Sequence, residues 1–372
     1  MQKVRSKVVL LWCERYNEDL IYEKIKYGIE LLGGFKSIFK EGEKILLKPN
    51  NLTSATIEEA VTTHPAVFGA ACRLVKDNNF EAFYGDSPSR ENPVQSLRKN
   101  GFTEVANRYN VPLADFEHGK KIVFNDGKVC KSFDIVNAIF DTDAIISLSK
   151  MKTHAFTRIT GAIKNQFGCV LGFNKGVFHV KYPDASQFSR MLVDLNRYLK
   201  PRLFIMDAIV AMEGNGPRSG KPRKVNCILI SKDPVALDSV FCRIINLEPA
   251  FVATIRYGKQ DGLGTFHENE IELLGDPLEL FYCKDFDVER KPIVSKTKRS
   301  LNIFKKVKVN ENHYPRIDET VCIKCGICVD SCPLEKKALS FKNGKNNIPV
   351  YDYSLCIRCF CCQENCPQKA IK

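Results

Sequence analysis

Short apolar runs alternate with amphipathic stretches over most of the chain. Residues 7–13 (Lys-Val-Val-Leu-Leu-Trp-Cys) form a near-continuous apolar run, expected as a buried strand. From Glu18 to Leu32, Leu20, Ile21, Ile25, Ile29 and Leu32 recur at helical spacing, and Gly33-Gly34 ends the helix. Lys44 to Lys48 reads as a strand running into Pro49-Asn50-Asn51. A helix to about Asp77 begins at Thr63-His64-Pro65, with Thr63 as the expected cap. Glu81 to Tyr84 reads as a strand, 93–109 as one or two helices, and Asp143 to Ser149 as a strand. Gly161 to Gly168 looks helical, and Ser186 to Leu199 is an amphipathic helix. Strands are expected at Arg202 to Ile209, Val225 to Ser231 and 270–274, with helices from Asp233-Pro234 to about Asn246 and near 250–258. This alternation predicts an α/β domain over residues 1–285, a mostly parallel sheet with helices on both faces.

The pattern changes at the end of the chain. Cys322-x2-Cys325-x2-Cys328-x3-Cys332-Pro333 recurs as Cys356-x2-Cys359-x2-Cys362-x3-Cys366-Pro367, an internal repeat offset by 34 residues. Ala338-Leu339 in the first copy answers Ala370-Ile371 in the second. Three thiolates on one tight loop can grip three irons of a cubane, and the fourth ligand comes from the other run. Cys322, Cys325, Cys328 and Cys366 are thus expected to hold one [4Fe-4S] cluster, and Cys356, Cys359, Cys362 and Cys332 a second. Structural zinc prefers separated cysteine pairs, and disulfides belong to secreted chains. Ile323, Ile327, Ile357 and Phe360 are expected to shield the clusters, and Cys361 to be a small buried hydrophobe. A small α+β ferredoxin-like domain is predicted at 315–372, joined by a basic linker at 286–314.

Composition narrows the partners. The formal net charge is +13, but eight basic and no acidic residues fall between Arg290 and Lys308. The α/β part is close to neutral, so the charge gives no reason to expect nucleic-acid binding. The linker alone leaves open an anionic membrane surface, a nucleic acid or an acidic redox partner, beside the plain reading as a solvated connector. No apolar run approaches the ~20 residues of a membrane span, and the first apolar run is too short for a signal-peptide core. A cytoplasmic protein is expected, with most of the eight other cysteines as buried free thiols.

In parallel sheets, ligands bind at the carboxyl ends of strands. Lys48-Pro49-Asn50, Gly85-Asp86-Ser87, Lys150 to His154, and Asp207 with Glu213-Gly214 fall there, and Lys164-Asn165 lies one helix further on. There is no phosphate loop or dinucleotide fingerprint. Lys48, Lys150, Lys152 and Lys164 are candidates to surround an anionic group, or are solvated lysines. His154 is a candidate acid/base or ligand, or a structural histidine. Asp207 and Glu213 could hold a divalent ion or organise their loop. Asp233 is read as a helix cap, and Asp238 as an inner helix residue facing the pocket or a lysine.

Six motifs occur in order: Lys48-Pro49-Asn50, Thr63-His64-Pro65, Lys150-Met151-Lys152-Thr153-His154, Gly161-Ala162-Ile163-Lys164-Asn165 with Gly168, Met212-Glu213-Gly214 with Gly216-Pro217, and Ser231 to Asp238. Over about 40–245 the set resembles the family catalogued as domain of unknown function 362, which often carries a ferredoxin module. The resemblance implies a fold and a pocket containing His154, Lys164 and Asn165, but no reaction. Two functions follow as expectations. In the first, the clusters pass electrons between a donor and a substrate or redox partner at the α/β domain, as in an oxidoreductase. In the second, the clusters are structural or redox-sensing, and the α/β domain binds a ligand or partner without turnover.

Overall fold

The computed structural model describes residues 5–88, 90–292, 314–342 and 344–372. The charged run of the linker lies almost entirely outside the described residues.

In chain order the α/β domain comprises β1 (Ser6–Trp12), α1 (Glu18–Leu31), β2 (Lys44–Pro49), α2 (Pro65–Asp77), β3 (Glu81–Tyr84), α3 (Pro93–Lys99) and α4 (Phe102–Arg108). A hairpin, β4 (Gly119–Val123) and β5 (Ser132–Val136), precedes β6 (Ala144–His154), β7 (Arg158–Thr160), α5 (Ala162–Asn165), α6 (Lys175–Lys181) and α7 (Ala185–Leu199). β8 (Leu203–Glu213), β9 (Lys221–Ser231), α8 (Pro234–Ile244), α9 (Ala253–Gln260) and β10 (Ile271–Gly275) complete it. The main sheet has the order β10-β1-β9-β8-β6-β2-β3, with β7 paired to the end of β6. β1/β10, β2/β3, β2/β6 and β6/β8 are parallel. β9 runs antiparallel to both neighbours. The sheet is therefore mostly parallel, as expected, with one reversed strand near its middle.

Both faces are covered, which is why the strands read as continuous apolar runs rather than alternating ones. Val9, Ile45, Leu47 and Ile205 pack with Ile25 of α1 and Phe68 of α2. Val8, Leu46, Phe204 and Leu229 pack on the opposite side with Leu192 of α7 and Val240 of α8.

Three local expectations change. First, β6 does not stop at Ser149; it runs to His154 because β8 and then β7 continue to pair with it. Lys150, Lys152 and His154 therefore sit on a fully buried strand, not on a loop. Second, His64 caps α2, its Nδ1 accepting from Ala66 N–H at 3.0 Å. Thr63 is engaged elsewhere, its hydroxyl donating to the Leu148 carbonyl at 2.7 Å. Third, β8 does not stop at Ile209; it runs to Glu213 because β9 continues to pair with it.

The small domain holds the short helices α10 (Ile327–Asp330) and α11 (Cys361–Glu364), joined by a two-residue antiparallel ladder pairing Leu339-Ser340 with Val350-Tyr351.

Candidate functional site

The two cysteine runs fold alike. Lys324 and Arg358 occupy equivalent positions at φ 62° and 59°, and Gly326 and Phe360 at 81° and 62°. These left-handed residues curl each run into a loop before its helical turn. Phe360 accepts a conformation that usually favours glycine; its side chain is buried in the core of the α/β domain.

Cys322, Cys325, Cys328 and Cys366 line one small cavity. Cys332, Cys356, Cys359 and Cys362 line another. The structure thus brings the eight sequence-predicted residues into two rings, each taking one member from the other run. Among the described residues, no three His, Cys, Asp or Glu side chains converge as ligands of a single ion would. Each ring instead surrounds a cavity, as ligands at the corners of a cube must. Equivalent amides approach the sulfurs: Ala338 N–H to Cys332 Sγ at 3.4 Å and Ala370 N–H to Cys366 Sγ at 3.3 Å. Tyr351 Oη lies 3.2 Å from Cys362 Sγ. Such donors tune a cluster's potential, and the residues fit the group. Cys361 is buried and belongs to neither ring. Of the four expected shields, Phe360 is buried, but Ile323 is 58% exposed beside the exposed Cys325. The first ring therefore lies near solvent.

The second copy is held against the α/β domain. Gln363 Nε2 donates to Asn215 Oδ1 at 2.6 Å, and Asn215 Nδ2 donates to the Ile371 carbonyl at 2.8 Å. Lys369 pairs with Glu59 at 2.8 Å. The Gly/Pro-rich loop after β8 is thus the docking loop.

Between the domains lies a cavity of about 310 Å³. Its walls include Lys152, Lys164 and Lys175 from one domain, and Cys332, Cys361 and Glu364 from the other. The sequence candidates separate here. Lys48 is locked to Asp86 at 2.9 Å. Lys150 is locked to Asp207 at 2.8 Å and donates to Tyr16 Oη at 2.9 Å, outside the cavity. Burial pushes the Lys150 ammonium below its ordinary range, and Asp207 opposes that shift. Asn165 is tied into the strand ends, accepting from Asn50 Nδ2 at 3.1 Å and donating to Ser147 Oγ at 2.9 Å. Lys152 donates only to the Val61 carbonyl, at 2.6 Å, among the described residues. Burial, then the neighbouring Lys164, hold it well below the usual lysine range. The Lys164 ammonium has no hydrogen bond or ion pair among the described residues, and burial lowers it too.

His154 Nδ1 accepts from the Phe156 and Thr157 amides at 3.0 and 3.3 Å. That places the proton of the neutral ring on Nε2. Nε2 lies 3.0 Å from Glu364 Oε1, close but poorly directed for a hydrogen bond, and neither buried atom has another partner among the described residues. Burial and then Lys164 push His154 down to about 4. Against its own burial, Glu364 is held down to about 2 by His154 and Lys164. At neutral pH this is a neutral imidazole facing a carboxylate.

The remaining carboxylates are structural. Asp233 caps α8 as expected, accepting from the Val235 and Ala236 amides. Asp238 does not face a pocket or a lysine; it accepts from the Ala162 and Ile163 amides at 2.6 and 3.1 Å and caps α5. Glu213 accepts from Asp287 N–H, and Asp207 is committed to Lys150. Sequence reasoning missed Lys175, His179 and Glu364. Glu364 could have been noticed as a carboxylate two residues from two predicted ligands; Lys175 and His179 carried no motif.

His64 gives a test of this electrostatic picture away from the cysteines. It stacks on Tyr16 at 3.6 Å, and burial pushes it down to about 4. An unfolded histidine takes up its proton near 6.5. The unfolded chain therefore binds more protons as pH falls from about 6.5 to about 4, and stability is lost across that window. His64→Asn keeps a capping side chain and removes the titration. Its urea midpoint should fall less than that of the unaltered protein between those pH values; parallel curves would contradict the assignment.

The fold and the two rings define an α/β protein with an attached iron-sulfur module. Residues 45–243 match the profile of the domain of unknown function 362, and residues 314–367 match a 4Fe-4S dicluster domain. The chain belongs to that family of unknown function, and its C-terminal domain is an iron-sulfur cluster-binding domain. A thylakoid-associated protein of Synechocystis sp. is 33% identical over 276 residues, 74% of this chain and 85% of that protein. The lactate racemase apoprotein of Thermoanaerobacterium thermosaccharolyticum superposes with a TM-score of 0.41 at 10% identity, over 63% of this chain and 56% of that one. A Thermotoga maritima protein gives 0.38 at 13% identity, over 68% and 61%. The chain thus spans less than two thirds of either solved structure. No helix among the described residues is long and apolar enough to cross a membrane.

Proposed function

We propose that this chain is an electron-transfer protein holding two [4Fe-4S] clusters, and that it serves an oxidoreductase reaction on a substrate bound between its two domains. One observation carries the reading: Cys332, a member of the second ring, lines the same cavity as Lys164. When bound, the clusters supply one-electron chemistry. The chain's own residues divide the remaining work. The first ring, with Cys325 exposed, faces an external donor or redox partner. The second ring adjoins the cavity. The Asn215–Gln363 and Glu59–Lys369 contacts fix the distance between ring and cavity, raising the effective concentration of the redox group at the pocket far above that of a free partner. Glu364 sits on the wall with His154 Nε2 3.0 Å from it, a pair that can hold a proton close to the substrate. A reducing compartment, the cytoplasm, is the setting this reading requires.

The test is a dithionite titration of anaerobically prepared protein, followed by visible absorbance and electron paramagnetic resonance. Uptake of two electrons per chain, one for each cluster, is expected. Full iron content with no reducible cluster would favour structural clusters and end the electron-transfer reading.

A further inference from the structure

On the α/β side of the interdomain cavity, the ammonium groups of Lys152, Lys164 and Lys175 have no carboxylate partner among the described residues. Lys152 is 1% exposed and Lys175 7% exposed, and among the described residues no carboxylate lies within ion-pair distance of either, or of Lys164. Lys175 donates to the Ser87 carbonyl, and burial pushes it down to about 7. Removing an ammonium from water without a counter-ion costs several kcal/mol in general, a cost that proteins accept mostly where a ligand repays it. The carboxylates lining the cavity, Asp86, Asp330 and Glu364, form no ion pair with these lysines among the described residues. Asp86 is spent on Lys48 and on the Asn51 and Ser87 amides. Glu364 faces His154, which is neutral at neutral pH, and its charge acts on Lys164 and Lys152 only from beyond ion-pair distance. His179 also lines the cavity, and its buried Nδ1 has no hydrogen-bond partner among the described residues. Phe167 supplies an apolar wall beside the lysines, its ring 5.9 Å from both the Lys164 and Lys175 ammonium groups. The volume, about 310 Å³, sits at the small end of ligand sites.

We propose that this cavity binds a small organic anion, a mono- or dicarboxylate. Lys164 and Lys175 pair with its charge, His179 hydrogen-bonds a polar substituent, and Phe167 covers its carbon skeleton. The proposal rests on the electron-transfer reading only in making this anion the redox substrate; the binding site itself stands on the lysines. A purely inorganic anion would use the lysines but leave Phe167 without a role.

Calorimetric binding of oxalate, succinate, inorganic phosphate and uncharged succinamide to the full-length, cluster-loaded protein tests it. At least one of the two dicarboxylates should bind at least about tenfold more tightly than succinamide, and Lys164→Gln should weaken that binding about tenfold or more. The Lys164 ammonium holds no hydrogen bond among the described residues, so this variant keeps the fold; Lys175→Gln provides the second arm and should weaken binding similarly. Dicarboxylate binding that is equal in the unaltered protein and Lys164→Gln, or no tighter than that of succinamide, overturns the site. Phosphate binding without dicarboxylate binding overturns the organic class. The dithionite titration on the same sample separates the two claims. Reducible clusters without anion binding defeat this inference alone, and anion binding beside irreducible clusters defeats the electron-transfer reading alone.

Discussion

Replacing Cys332 with alanine should lower iron content from about eight to about four per chain and remove the cluster beside the cavity. The expectation follows from the exchange of fourth ligands: Cys332 lines the ring of Cys356, Cys359 and Cys362, not that of its own run. Pairing variants makes the exchange visible. Cys332→Ala combined with Cys356→Ala should lose no more iron than either alone, because both strike one ring. Cys332→Ala combined with Cys322→Ala should lose nearly all of it. The opposite pattern, in which Cys332 and Cys322 fail together without further loss, would mean that each run closes its own cluster.

The second large effect concerns stability. Asp207→Asn should cost about 3–5 kcal/mol, read from the urea unfolding transition, because it leaves the Lys150 ammonium buried without a counter-charge. Asp207 is fully buried, and besides Lys150 it accepts from Tyr16 Oη at 2.8 Å and from the His64 amide at 3.0 Å. The two donors use different carboxylate oxygens, so asparagine keeps an acceptor for one of them only, and the loss combines that bond with the stranded charge. Adding Lys150→Met removes the stranded ammonium and should recover the part of the stability that belongs to the charge. A double variant as unstable as Asp207→Asn alone would place the cost in the hydrogen bonds instead.

These two predictions also mark what could be read from the chain. The cysteine rings were legible because six of the eight ligands are fixed by spacing within short loops, and the repeat supplied the exchange. The α/β architecture was legible because both sheet faces are covered and the strands stand out as apolar runs. The lysines were only half legible. Lys48, Lys150, Lys152 and Lys164 look alike in sequence, and what separates them is whether a distant carboxylate reaches them. Asp86 reaches Lys48 from 38 residues away, and Asp207 reaches Lys150 from 57. Such pairings depend on strand order, which local pattern does not encode. The docking loop was hidden for the same reason. Glycines 214 and 216 signalled a turn, while the useful atom is the Asn215 amide between them, meeting Gln363 from the far end of the chain. Lys175 and His179 lie on a helix of seven residues, too short for periodicity to announce.

The adjacency of cavity and second ring can be measured through the potentials of the clusters. Reduction adds negative charge, so a nearby ammonium favours the reduced form. In a potentiometric titration followed by electron paramagnetic resonance, Lys164→Gln should lower the midpoint of the cluster that Cys332→Ala removes and leave the other close to its original value. Equal shifts of both clusters, or no shift of either, would contradict a substrate cavity walled by the second cluster.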